Sequence, residues 1–151
     1  MYRDLQVSLM RFCNDLKSNF GATIPEFINF DAAWDESQLP DSPVLGYMGL
    51  TFEVDDQFVE GSFQIGFTTK NDENLFLLSE SINKILLRLL PTSKLKIYDA
   101  TTGSEKGFMV VRNGTRVMPV AGSKTRPIQF VAVQFATTTT FKLPGDIQQF
   151  L

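Results

Sequence analysis

Apolar residues in two stretches of this chain recur at helical spacing, while most of what lies between and after them alternates apolar with polar. That change of period confines the fold to helices packed on a sheet. Leu5, Leu9, Phe12, Leu16 and Phe20 form one stripe of a helix, with Cys13 beside it and Gly21 as a stop. Leu75, Leu78, Ile82, Ile85, Leu86 and Leu89 form a wider stripe on a second helix, which Pro91 ends and in which Glu80 and Lys84 make an i,i+4 pair.

Between the helices the period is two. After Pro25, Ile28, Phe30, Ala32 and Trp34 share one side of an expected strand, and Asn29, Asp31 and Ala33 the other. The polar stretch from Asp35 to Pro43 reads as an exposed loop. Val44–Val54 and Gln57–Thr69 read as two strands of a hairpin turning near Asp55–Asp56, with Phe63, Ile65 and Phe67 facing one way.

From Lys94 onward the chain reads as an antiparallel meander with strands Lys94–Ala100, Phe108–Arg112, Thr115–Val120 and about Pro127 to Phe141. Asn113–Gly114 predicts a two-residue turn aligning Val111 with Arg116 and Val110 with Val117. Pro119 cannot donate to a ladder, so its strand is expected at a sheet edge or to end there. The segment 142–151, broken by Pro144–Gly145, carries Leu143, Ile147, Phe150 and Leu151 and reads as a docking arm or a short terminal turn. The fold class expected is α+β, a mainly antiparallel sheet with two principal amphipathic helices packed on it, in one domain spanning 1–151.

Composition narrows function mainly by exclusion. The chain has no histidine and one cysteine, which removes Ser-His and Cys-His nucleophiles and leaves no plausible ligand set for zinc or redox metals, so no cofactor is expected. No Walker-type loop or G-x-G-x-x-G occurs. Cys13, on an apolar helix face, reads as a small buried hydrophobe. No apolar run approaches the roughly 20 residues that span a bilayer. The first 20 residues interleave apolar and charged side chains where a secretory signal is continuously apolar.

Carboxylates are the remaining candidates for chemistry. Asp31, Asp35, Glu36 and Asp41 lie close in sequence, yet their spacing does not fit an EF-hand loop, and Asp55–Asp56 suits a solvated turn better than a general-acid pair. Lys94, Lys96, Arg112, Arg116, Lys124 and Arg126 could form a basic patch, but no aromatic nucleic-acid motif accompanies them and the same residues serve as gatekeepers on strand edges. The net charge of −3 hides a division: residues 1–93 hold six Lys/Arg against fourteen Asp/Glu, a net of −8, and residues 94–151 hold eight against three, a net of +5. Placed on separate surfaces, such charges favour head-to-tail contacts between copies.

The order of elements, with an initial helix carrying Leu5, Leu9, Phe12 and Leu16, a helix over Leu75–Leu90 and a closing segment Arg126-Pro-Ile-Gln-Phe-Val-Ala-Val-Gln-Phe-Ala-Thr, resembles the tail terminator (tail completion) family of long-tailed bacteriophages. The resemblance implies a virion structural protein, not an enzyme, that assembles in the host cytoplasm into a self-associating ring, commonly hexameric. Such a ring caps the tail tube and joins the tail to the head connector, and its partners are therefore the tail tube protein and the head-tail connector protein, with DNA passing through the lumen without specific binding. On that reading Arg112, Arg116, Leu143, Ile147, Phe150 and Leu151 are expected at subunit interfaces, and the acidic Asp35, Glu36, Asp55 and Asp56 would face the lumen. The alternatives are another neck or head-completion subunit, or a small hot-dog-like enzyme using a carboxylate such as Asp72 or Glu73 near a helix start.

Overall fold

The structure, a computed structural model, describes residues 1–18, 20, 26–32, 39–70, 72 and 75–143, with backbone alone for 26–28. Helix α1 spans Tyr2–Lys17 and buries Leu5, Leu9, Cys13 and Leu16 completely, as its stripe requires. Helix α2 spans Phe76–Arg88 and buries Leu78, Ile82 and Ile85, with Leu89 following, while Lys84 reaches Glu80 at 3.5 Å. Each such apolar side chain removed from water stabilises the fold by about 1.5–3 kcal/mol. Leu75 adopts a left-handed conformation at φ 58°, and the Asp72 carboxylate just before it accepts the N–H groups of Leu77 and Leu78 at 3.0 and 2.8 Å. That acid satisfies two of the open donors of the first turn.

Among the described residues eight strands make one sheet: β1 (Glu26–Asn29), β2 (Val44–Asp55), β3 (Phe58–Thr68), β4 (Lys94–Tyr98), β5 (Glu105–Val111), β6 (Arg116–Val117), β7 (Ala121–Gly122) and β8 (Pro127–Thr138). All described pairings are antiparallel except that of β1 with β2, so the chain is an α+β protein with a mainly antiparallel sheet. The main path runs β1-β2-β3-β8-β5-β4. Helix α2 lies on β3 and β8, whereas α1 touches both β2 and β4, which stand towards opposite ends of that path. One helix meets both only if the sheet curls around it, and the curl follows the twist inherent in paired strands. Leu45, Tyr47, Phe63, Ile65, Phe67, Val131, Val133 and Phe135 line the concave face with the helices. A second, smaller cluster of Phe30, Leu39, Val44, Ile128 and Phe130 covers part of the other face.

Several expectations need correction. β1 ends at Asn29, and Phe30, Ala32 and the intervening Asp31 form a turn, because the Asn29 side-chain oxygen accepts the Asp31 N–H at 3.0 Å. Trp34 lies outside the described residues. Asn113–Gly114 does not close a hairpin. Val111 sits opposite Phe135 and Arg116 opposite Ala132, both on β8, and Val111 exchanges backbone bonds with Thr92 and Ser93 on its other side. With both edges of Val111 occupied, Arg116 has nowhere to pair except along β8. The expected strand around Pro119 shortens to Arg116–Val117, and the last strand stops at Thr138, after which Phe141, at φ 61°, turns into the core. Of the loop expected over 35–43, residues 35–38 lie outside the described residues; Leu39 is buried, and Arg126 donates to the Pro40 and Ser42 carbonyls.

Candidate functional site at two charged surfaces

The β2–β3 hairpin ends in a two-residue loop, Asp56–Gln57, in which Asp56 takes φ 56°, so the turn expected at Asp55–Asp56 lies one residue further on and Asp55 closes β2. Upstream, a register shift between Met48 and Thr51 carries Gly49 at φ 68°, with its N–H on the Asp31 carboxylate at 2.9 Å. Beyond the shift the tip projects past β1. Glu53, Asp55 and Asp56 are exposed there and have no ion-pair partner among the described residues. Val54 is 52% exposed and Phe58 41%, so the tip is apolar as well as acidic.

A cleft of about 430 Å³ opens between α1, α2 and β4. Phe12, Leu87 and Leu95 form its apolar walls, and Arg88, Lys94 and Lys96 make it basic, with Asp15 as the opposing charge. Glu105 lies 3.0 Å from Lys96 and pushes its ammonium above the ordinary lysine value. Lys94 and Arg88 have no ion-pair partner among the described residues. The floor is the edge of β4, which α1 covers only in part: Tyr98 gives its N–H to Ser8 Oγ and Ala100 gives its N–H to the Asp4 carboxylate, both at 2.8 Å.

The remaining sequence-predicted positions scatter. Arg112 pairs with Glu60 at 3.2 Å beside a shallow groove that includes Ser62 and Gln134, on the sheet face away from the helices. Arg116 is exposed on β6 with its guanidinium against the Met118 sulfur. Leu143 is half-buried in a small cavity with Phe58, Thr138 and Thr140. Ile147, Phe150, Leu151, Asp35, Glu36 and Glu73 lie outside the described residues. Arg126 leaves the basic patch altogether, being 2% exposed. Asp72, the alternative catalytic carboxylate, has both oxygens engaged by the amides of α2. The charge division is partly spent inside the molecule, because Lys106 pairs with Asp4 and Arg112 with Glu60 across the two halves. Among the described residues without an ion pair, Glu53, Asp55 and Asp56 share the tip and Arg88 and Lys94 share the cleft, while Arg3, Arg116, Lys124 and Lys142 lie elsewhere. Arg88 and Phe12 were not singled out as cleft residues from the sequence: Phe12 belongs to the apolar stripe of the first helix and is only partly buried, and Arg88 is an exposed helix position that does not say what it faces.

Among the described residues no group of three or more Cys, Asp or Glu side chains is arranged to hold a metal ion, and no helix is long and apolar enough to cross a membrane. No family model matches the chain, and no curated protein does. A solved structure whose name describes no function matches 90% of this chain and 94% of its own length, with a TM-score of 0.59 at 11% identity. At that identity the likeness is one of fold. It places this α+β architecture, over nearly its whole length, among folds already seen.

Proposed function

We propose that this chain is a ring-forming virion structural protein, a tail terminator that caps the tail tube and joins it to the head connector. The observation that carries this reading is the presence, on one rigid body, of two unlike surfaces of opposite charge. A ring built from identical copies needs two different complementary patches, since head-to-tail contacts close only when the surface offered differs from the surface received. The order of helices and strands that resembles the terminator family supports the same reading. On it the partners are further copies of the chain, the tube protein below and the connector protein above. DNA passes through the lumen, where a chain of acidic total charge grips phosphates weakly.

The test is to incubate the purified chain with tail tubes lacking a terminator and to image them. Rings at one end of each tube, with tube growth arrested at fixed length, are the expected result. Tubes that continue to elongate with bare ends overturn the proposal.

A further inference from the structure

Building on the ring reading, we infer that each junction of the ring forms when the acidic β2–β3 tip of one copy enters the basic cleft between α1, α2 and β4 of the next. The occupant is a second copy of this chain, identified by charge and by backbone geometry together.

Both surfaces carry an open strand edge. Asp55 and Phe58 face each other across the two-residue loop as a bonded pair, so Val54 and Phe52, which alternate with the bonded positions of β2, turn their N–H and C=O groups outward. β1 reaches only to the position opposite Tyr47, and no described strand runs beside β2 past that point. In the cleft, Tyr98 directs its N–H away from β5 to Ser8, and the alternation of a strand puts the backbone groups of Lys96 and Lys94 on that same outer side. α1 caps the edge at Tyr98 and Ala100 and leaves the Lys94–Lys96 half without a backbone partner among the described residues. An exposed edge of this kind is a template for another strand, and main-chain pairing there is a recurrent mode of recognition.

Charge chooses the partner. The tip offers Glu53, Asp55 and Asp56; the cleft offers Arg88, Lys94 and Lys96, offset by Asp15 and Glu105. Two tips repel, as do two clefts, so a symmetric dimer through either surface is disfavoured, whereas tip into cleft satisfies both. The exposed Val54 and Phe58, on opposite faces of the hairpin, supply apolar contacts for Leu87 and Phe12. The inference assigns Asp55 and Asp56 to the subunit junction and not to the lumen.

The experiment uses two full-length variants, Lys94→Glu/Lys96→Glu and Glu53→Lys/Asp55→Lys, studied by sedimentation velocity alone and mixed. Each variant alone should associate at least tenfold more weakly than the wild type. Mixed in equal amounts they should regain ring-sized species, because every tip then meets a cleft of opposite charge in alternating order. Recovery on mixing also shows that both variants are folded. Should either double reversal disturb folding, Lys94→Gln/Lys96→Gln serves instead, with association weakened tenfold in support. Wild-type association by a reversed or neutral variant, or folded variants that stay monomeric when mixed, overturns the junction while leaving the ring intact. A wild-type chain that forms no ring alone or on tubes overturns the ring and the junction together.

Discussion

Ser8 Oγ accepts the backbone N–H of Tyr98 at 2.8 Å and donates its own hydrogen bond to the Asp4 backbone carbonyl at 2.6 Å, so one hydroxyl ties the edge of β4 to the interior of α1. Ser8 is 2% exposed. A buried donor left without an acceptor costs about 1–3 kcal/mol. Ser8→Ala is therefore expected to lower the unfolding free energy by that amount. Urea denaturation is the measurement, and a loss below about 0.5 kcal/mol would show that the N–H finds another acceptor.

Acid should weaken the same corner. Burial opposes the charge of Asp4, but the Ala100 N–H and the Lys106 ammonium outweigh it and hold the carboxyl below its ordinary value. Asp99 is likewise held down, by the Thr102 N–H, then Lys106 and the Thr101 N–H. A carboxylate whose pKa is lower in the folded state contributes stability that is fully present above its unfolded value, near pH 4, and is lost as pH falls through the folded value. Asp4→Asn should thus be less stable than wild type at pH 7, with the gap closing below pH 4. Thermal unfolding across pH 2–7 reads this out; a gap of constant size would remove the ionised carboxylate from the explanation.

Arg126 contributes in a way its type conceals. Its guanidinium donates to two main-chain carbonyls, those of Pro40 and Ser42, and its stem is packed. Arg126→Ala is expected to cost about 2–4 kcal/mol through both losses. Arg126→Lys should recover only part, because one ammonium does not reproduce a planar fork. Full recovery by lysine, measured in urea, would mean that charge alone suffices.

Gly107 lies where a side chain has no room. A Cβ there would stand 1.9 Å from the Phe141 carbonyl oxygen, the acceptor of the Phe108 N–H. Gly107→Ala should cost about 1–3 kcal/mol as the Phe141 turn is forced outward, seen as a lowered melting temperature. An unchanged melting temperature would show that the turn yields freely.

Much of this fold was legible because it depends on local period. Leu5, Leu9 and Leu16, or Leu78, Ile82 and Ile85, identify their helices by spacing, and all are buried. The β2–β3 hairpin was legible for the same reason, with Asp56 in the left-handed conformation that a tight turn demands. Asn113–Gly114 misled because a turn signal reports what a segment can do and not which neighbour competes for its flanks; the open edge of β8 took both. The alternation through Phe30 was real, and Phe30 is buried, but it packs from a turn, since the Asn29 side chain had captured the next amide. Of the candidate surfaces, the acidic tip could be read from Glu53, Asp55 and Asp56. The cleft could not, because Phe12, Leu87 and Lys94 come together only through the curl of the sheet.

That curl rests on β8, to which β3, β5, β6 and β7 all pair. Among the described residues β8 is the last strand in chain order, yet the β1–β3 sheet and the β4–β5 pair are joined in the sheet only through it. Synthesis therefore delivers two half-sheets with bare flanks well before the piece that unites them. Such non-local closure is slow and exposes sticky edges meanwhile. A newly made chain reaches its closed fold only after residues 127–138 have been threaded between the two halves, so the pace of maturation is governed by a single central strand.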